Sequence, residues 1–524
     1  MLKRLNYLNL SAIFLLFCVS FIWRFYGLLG NYPFWVDEFS SAFSARMIMH
    51  YGLSYFGNPS LNIEYNNILA NLFIALFFKM FGLYEWAARL PFVIIGALVP
   101  GMVYLLAEKV FNRTVAISAG LLTAFSYFEI VWSRQARGYV LTQLLVVLTL
   151  SVYVHILVAG KKDRRLYFLL AGLIFAGLLT HFSYAILIVA VVLHSIAINF
   201  HTLKKRINIS FLAVGLSVLG IIFYKIIMSL GILSAGTLSK SNNLWYYHSF
   251  LWREYGLMAF LALLGLIGTL VKKARVVSIF ALYIPVHIGV FTFLFAPYSS
   301  RYLLPIFPFL FIFAAVALEK FMNATVTVNK FGVKQSKMVV VGTLLLTLFI
   351  IASGNKFVTR PRSFYSVNHD FREIALIDYN KVYGIIKEKG KLEEGHTAVI
   401  DTWHDRLYWY IGNDYYPSYL FRWTDDPGTT NGLARQTTFL YNTQGEKIIP
   451  RQRHLGFVGD LADLMKVKEK YPRGFIFIDD ATMPRDVIVY AQNNLNKEIY
   501  LDHYPLDDNP YSIWPATLYS WGIE

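Results

Sequence analysis

Cysteine is almost missing from this chain. The one thiol, Cys18, lies inside an apolar block, so an intrachain disulfide framework and a cysteine-based zinc site are both excluded. Charge is scarce as well. Asp, Glu, Lys and Arg make up 15% of the 524 residues, against 56% hydrophobic and 17% aromatic, which is too apolar for an ordinary soluble protein. Acids are the scarcest of the charged set, 32 against 48 basic residues, leaving a formal charge of +16. That excess does not point to nucleic acid, because the basic residues sit mainly in short loops between apolar blocks, where membrane topology accounts for them. No small-residue cleavage site follows the apolar run after Lys3 and Arg4, so the N-terminus reads as an uncleaved first transmembrane helix. Internal repeats and His/Asp clusters at metal-ligand spacing are also lacking.

What is present is a series of apolar blocks of about 17 to 22 residues before position 355, the length of a helix that spans a bilayer. Beyond it the sequence turns mixed, polar and aromatic. Two domains are expected: a transmembrane domain over 1–354 and a soluble domain over 355–524, large enough for its own core. Basic clusters at Lys109/Arg113, Lys161–Arg165, Lys204–Arg206, Lys272–Arg275 and Lys320–Lys337 alternate with basic-poor turns. The apolar stretch 66–81 decides their side. Interrupted by Asn71 and Lys79, it is short for a span. If it does not cross, every cluster faces the cytoplasm. The expected fold is therefore an α-helical polytopic membrane protein of about eleven spans, 8–29 and ten more from 90 to 354. Juxtamembrane helices fill a long first external loop, and an extracytoplasmic α/β domain completes the chain.

This threading gathers polar residues from five places onto the outer face: Asp37 and Glu38; Glu64; Arg134, Arg137 and Tyr139; His181; and Arg301 with Tyr302. Ionisable groups at membrane depth are costly and are functional candidates by default. A helix end that merely meets water or headgroups is the plain alternative for any one of them. Convergence argues against it for the set. In FWVDEFSSAFSARMI, Phe39, Phe43 and Met47 recur at helical spacing behind the acidic pair, suggesting an amphipathic helix in the interface. Adjacent helical residues point about 100° apart, so Asp37 and Glu38 have different jobs, one facing a cavity and one bracing the loop.

The segments VDEFSSAFSAR, FFKMFGLYEWAARLPFVIIGAL, VWSRQARGYVLTQLLVVL, THFSYAILIVA and SSRYLLPIFPFL, in order over about 30–310, carry a family likeness. Together they resemble the bacterial and archaeal protein-mannosyltransferase-like glycosyltransferases of the GT-C fold, a superfamily that includes the aminoarabinose transferase acting on lipid A. The resemblance implies a polyprenyl-phosphate sugar donor, an acceptor outside the cytoplasmic membrane, and inversion at the anomeric carbon. It implies Asp37 as the base with Glu38 completing the acidic pair, and donor-phosphate roles for Arg137, Tyr139, Arg301 and Tyr302. One departure stands out: many relatives carry His-Pro-Pro or Lys-Pro-Pro where this chain reads IEYNNIL at 63–69. The roles of Glu64, Asn66 and Asn67 are therefore open.

The chemistry agrees. A lipid phosphate leaves without a general acid, whereas a hydroxyl nucleophile needs a base, so one carboxylate suffices where a glycoside hydrolase needs two. Guanidinium forks suit the charge that develops on the phosphate. Glu64, His181 and Arg134 are expected to bind substrate. His181 could also take a divalent metal with Glu64, although an interfacial His is more often a hydrogen-bonded cap, and no cofactor is otherwise implied. The partners expected are the lipid-linked donor, an extracytoplasmic acceptor and membrane lipids. In the C-terminal domain, HTAVIDTW, GFIFIDD and NKEIYLDH read as strands, with Asp401, Asp405, Asp479 and Asp480 at strand ends. The tail PYSIWPATLYSW could dock on the membrane or stack on sugar rings. A transporter or lipid-linked-sugar flippase is the rival reading. Broken helices and midplane charges, often in a repeated half, would mark one.

Overall fold

In the computed structural model the described residues are 7–57, 67–159, 163–200, 240–270, 274–328, 335–354, 356–365, 377–412, 418–421, 440–441, 447–448, 456–479, 484–502 and 515–523. The chain divides into two units. One comprises Met1–Gly30, Tyr65–Phe73 and Arg89–Ser363; the other comprises Asn31–Glu64, Ile74–Ala88 and Phe364–Glu524.

In chain order the helices are α1 (Tyr7–Phe25), α2 (Val36–Tyr51), α3 (Ile68–Phe81), α4 (Glu85–Val110), α5 (Arg113–Phe125), α6 (Tyr127–Ser133) and α7 (Tyr139–Ala159). Then come α8 (Arg164–Leu178), α9 (Tyr184–Ile198), α10 (Leu244–Leu270), α11 (Ala274–Phe293), α12 (Phe307–Val328) and α13 (Gln335–Ser353). Nine of the eleven predicted spans fall on single described helices, 115–132 falls on two, and 210–229 lies outside the described residues. Among the described residues six segments are long and apolar enough to cross a bilayer: Tyr7–Gly30, Glu85–Val110, Tyr139–Val158, Leu244–Leu270, Arg275–Phe293 and Ser300–Val326. With its 14 residues α3 reaches only about 21 Å, short of a hydrocarbon core of about 30 Å. The chain is a polytopic helical membrane protein.

Local chemistry sets the boundaries in the first unit. Asn112 accepts the Val115 N–H at 3.1 Å and starts α5, and Asp163 accepts the Arg165 N–H at 3.0 Å and starts α8. The run 115–132, expected as one continuous helix, breaks instead at Ser126, whose backbone is extended. At the break the Tyr255 hydroxyl accepts the Phe128 N–H at 3.1 Å and lies 3.0 Å from the Ser126 hydroxyl. The backbone of 356–358 completes the repair: Tyr127 donates to the Lys356 carbonyl at 2.9 Å and Val358 to the Phe125 carbonyl at 2.8 Å. Non-helical backbone inside a bundle is tolerated only where its polar groups find such partners.

The second unit holds α2 and the C-terminal domain. That domain contributes α14 (Tyr379–Lys389), α15 (His404–Tyr410), α16 (Leu461–Lys470) and α17 (Arg485–Asn494). Its eight strands among the described residues are β1 (Thr397–Asp401), β2 (Ser418–Phe421), β3 (Leu440–Tyr441), β4 (Lys447–Ile448), β5 (Gly456–Val458), β6 (Arg473–Ile478), β7 (Asn496–Leu501) and β8 (Ala516–Trp521). They form one sheet in the order β3-β4-β5-β2-β1-β6-β8-β7. β5, β2, β1 and β6 run parallel, and antiparallel strands extend both sides. Parallel strands must be covered on both faces, which explains the unbroken apolar runs AVI and FIFI. Ala398, Ile400, Val458, Leu464 and Ile476 form the core.

Two expectations for this unit need correction. Tyr519 and Trp521 of the aromatic tail belong to that core, with Trp521 donating to the Tyr471 carbonyl at 3.0 Å, so those two rings are not free to meet lipid or sugar. The apolar side of α2 is likewise buried in protein: Phe39 is 2% exposed and packs on Tyr379 and Tyr410. Helical periodicity identified a buried face correctly but could not say whether protein or lipid buries it.

Candidate active site

The first unit brings together five of the residues singled out in the sequence. Arg137 and Tyr139 flank Gly138 at the entry to α7, His181 lies in the turn between α8 and α9, and Arg301 and Tyr302 belong to the 3-10 turn Ser300–Ile306. Gly138 allows close packing there: a Cβ would stand 2.8 Å from Asn67 Oδ1 and 3.2 Å from the Thr180 carbonyl, so a larger residue would have to displace the Asn67 side chain where the Arg-Gly-Tyr corner meets α3 and the His181 turn. The Arg301 guanidinium carbon lies 5.9 Å from the Trp132 ring, 5.4 Å from Tyr139 and 5.5 Å from Tyr302, and that of Arg137 lies 6.0 Å from Tyr139. These are cation–π distances. The His181 ring is 5.1 Å from Tyr139 and 6.2 Å from Tyr302, which itself stacks on Phe291 at 4.9 Å. Two cations thus stand among aromatic rings at the ends of four helices.

His181 Nδ1 accepts the Ser183 N–H at 3.3 Å and lies 2.8 Å from the Ser183 hydroxyl, which places the ring proton on Nε2. Burial, followed by the Arg137 and Arg301 charges, holds its pKa well below the usual histidine value. The imidazole is therefore neutral in the physiological range and can donate from Nε2. His181→Asn is expected to leave the shape of the pH–rate profile unchanged between about pH 6 and 8; an inflection lost on substitution would show that His181 titrates there.

The 3-10 turn carrying Arg301 is held from several sides. Tyr246 OH accepts the Ser300 N–H at 2.9 Å, His287 Nε2 lies 2.7 Å from the Tyr302 carbonyl, and Gln143 Nε2 donates to the Leu304 carbonyl at 2.7 Å. The same Gln143 amide donates to Glu129 at 2.8 Å, and Arg24 acts on that carboxylate electrostatically. Gln143, Glu129 and Arg24 are buried polar groups that sequence reasoning did not single out. A signal existed for Glu129, the one charged residue in the apolar run 115–133, because an isolated acid within a membrane segment is a candidate by default.

Arg134, expected to bind substrate, is turned to the backbone instead. Its guanidinium donates to the carbonyls of Arg24 at 3.0 Å, Tyr26 at 2.7 Å and Ser363 at 2.8 Å, clasping the end of α1 to the segment after α13. Arg134→Met would strand the buried Arg24 carbonyl and free two part-buried ones, and is expected to cost about 2 kcal/mol, read as a lower midpoint of thermal unfolding.

The acidic pair belongs to the second unit. Glu38 is fully buried, and its carboxylate accepts the Trp35 N–H at 2.8 Å, closing the first turn of α2. Asp37, one residue earlier and so about 100° away, is half-buried. Glu64 lies outside the described residues, and with it the suggested pairing with His181. Among the described residues no cluster of three His, Cys, Asp or Glu has the geometry to hold a metal ion.

The dolichyl-phosphate-mannose-protein mannosyltransferase family model matches residues 66–228, the stretch that carries Asn67, Arg137, Tyr139 and His181. ArnT from Cupriavidus metallidurans in the apo state superposes with a TM-score of 0.60 at 13% identity, over 98% of this chain and 97% of that one. The chain has a GT-C-like fold. The same ArnT bound to undecaprenyl phosphate aligns over equal shares at 13% identity and a TM-score of 0.52. An Archaeoglobus fulgidus oligosaccharyltransferase tethered to an acceptor peptide aligns at 12% identity and 0.53, over 91% of this chain and 69% of that one. No curated protein sequence matches. The GT-C fold was expected from the sequence, including the C-terminal sheet domain that ArnT's near full-length alignment takes in.

Proposed function

We propose that this GT-C protein transfers a sugar from a polyprenyl-phosphate donor to an acceptor hydroxyl on the extracytoplasmic side of the cytoplasmic membrane, with inversion. One observation carries this reading: two guanidiniums, Arg137 and Arg301, close to a neutral His181 in a ring-lined corner of a membrane protein. Such a corner suits an anion that arrives from lipid. Tyr139 and Tyr302 orient the guanidiniums, and His181 offers Nε2–H to a donor oxygen. Asp37 takes the acceptor proton as its oxygen attacks the anomeric carbon. The bond from that carbon to the phosphate oxygen breaks, and the electron pair leaves with the polyprenyl phosphate. Because the leaving oxygen has a low pKa, no acid is needed. Glu38 braces α2. The alternation of basic loops and the short α3 support the extracytoplasmic side. ArnT with undecaprenyl phosphate supports the donor class.

The test uses purified protein in proteoliposomes with synthetic polyprenyl-phosphate sugars. Release of polyprenyl phosphate matched by sugar on an acceptor supports transfer. A donor that appears intact in the opposite leaflet would instead make the protein a flippase.

A further inference from the structure

The parallel strands of the C-terminal sheet run in the order β5-β2-β1-β6, so the order reverses beside β1. In open α/β sheets the crevice at the carboxyl ends of the strands at such a reversal is where ligands bind. Here it is filled from within the chain. Asp401 ends β1, Asp479 follows β6, and Arg406 of α15 reaches both: its guanidinium pairs with Asp401 and donates to Asp479 Oδ2 at 2.5 Å and to Thr402 Oγ1 at 2.9 Å. The Arg406 side chain is 1% exposed and its guanidinium carbon lies 4.8 Å from the rings of both Tyr379 and Phe477. Tyr383 hydrogen-bonds Asp401 and accepts Arg406 Nε–H at 3.1 Å.

A buried ion pair of this kind adds little net stability over an apolar substitute, and its best-attested use is to fix register. What it fixes here is α15, seven residues long and too short to hold itself. α15 also carries α2. Tyr408 meets Phe43 at 5.0 Å, Trp409 meets Phe34 at 4.9 Å, Tyr410 meets Phe39 at 5.8 Å, and Arg46 donates to the Tyr408 carbonyl at 3.1 Å. A second route runs from Arg406 through Tyr379 to Phe39, 5.7 Å from it and two residues from Asp37.

We infer that Arg406 is a positioning residue for sugar transfer: the Asp401–Arg406–Asp479 cluster seats α15, and α15 with Tyr379 seats α2, which sets where Asp37 stands. The inference rests on Asp37 being the base. It makes the C-terminal sheet a part of the catalytic apparatus.

The test is made in the full chain with Cys18 replaced by Ser and cysteines placed at 43 and 408, so that a short bifunctional maleimide reads the α2–α15 seat without reference to chemistry. Arg406→Lys keeps the charge but loses the fork. It is expected to slow cross-linking and lower kcat at least tenfold, with donor KM within about twofold. Cross-linked protein should regain kcat to within about twofold of the cross-linked parent. If R406K does not fold, D479N, which leaves the Arg406–Asp401 pair, carries the same comparison. An unchanged kcat in a folded variant, or a loss that cross-linking does not restore, overturns the inference. D37N measured alongside separates the two ideas: full activity there removes the base, while the cross-linking rate still reports the seat.

Discussion

Asp37→Asn is expected to lower the rate of sugar transfer by roughly a hundredfold to ten-thousandfold while leaving donor binding nearly intact. The substitution keeps the shape and half-burial of the side chain and removes only its ability to take a proton. An acceptor hydroxyl is a poor nucleophile until its proton leaves. With no acid required on the phosphate side, the base is the single proton-handling group in the reaction. Its removal should therefore fall almost wholly on kcat. Glu38→Gln provides the contrast. Its amide oxygen can still accept the Trp35 N–H, so a small loss is expected although the two residues are neighbours. Equal, large losses in both variants would mean that the acidic pair acts as a unit, as a shared metal ligand set would.

Arg301→Ala is expected to cost on the order of a hundredfold in kcat, about 3 kcal/mol, the usual worth of one well-placed donor to developing charge. The donor phosphate carries one negative charge when bound and gains a second as the sugar departs. In the proposed reaction Arg301 would thus act more strongly in the transition state than in the ground state. Arg301→Lys should recover part of the rate, since the charge remains while the planar contact with Trp132, Tyr139 and Tyr302 is lost. A raised donor KM with kcat unchanged would recast Arg301 as a uniform binder.

Much of this arrangement was legible in the sequence, for reasons that can be named. Spans are set by length and hydropathy, both local properties, so most of the described helices fell where expected. The strands at HTAVIDTW, GFIFIDD and NKEIYLDH were equally local and match β1, β6 and β7. Convergence of Arg137, Tyr139, His181, Arg301 and Tyr302 followed from alternation of sides. What was hidden depends on partners distant in the chain. Arg134 was expected to bind substrate, yet carbonyls 108 and 229 residues away take its guanidinium. The break at Ser126 depends on Tyr255, 129 residues on. Asp401 and Asp479 were noted as strand ends, but nothing local marked Arg406 as the group that joins them.

The side of the membrane on which this chemistry occurs is open to one direct measurement. In cells expressing the Cys18→Ser chain, a single cysteine is placed at Arg164, the basic residue that opens α8, or at Glu393 in the C-terminal domain. A membrane-impermeant maleimide is then applied from outside. Labelling at 393 and protection at 164 until the membrane is opened is the expected pattern. Labelling at 164 in intact cells would turn the basic loops outward, strip the arginine corner of access to an external acceptor, and contradict the proposed reaction.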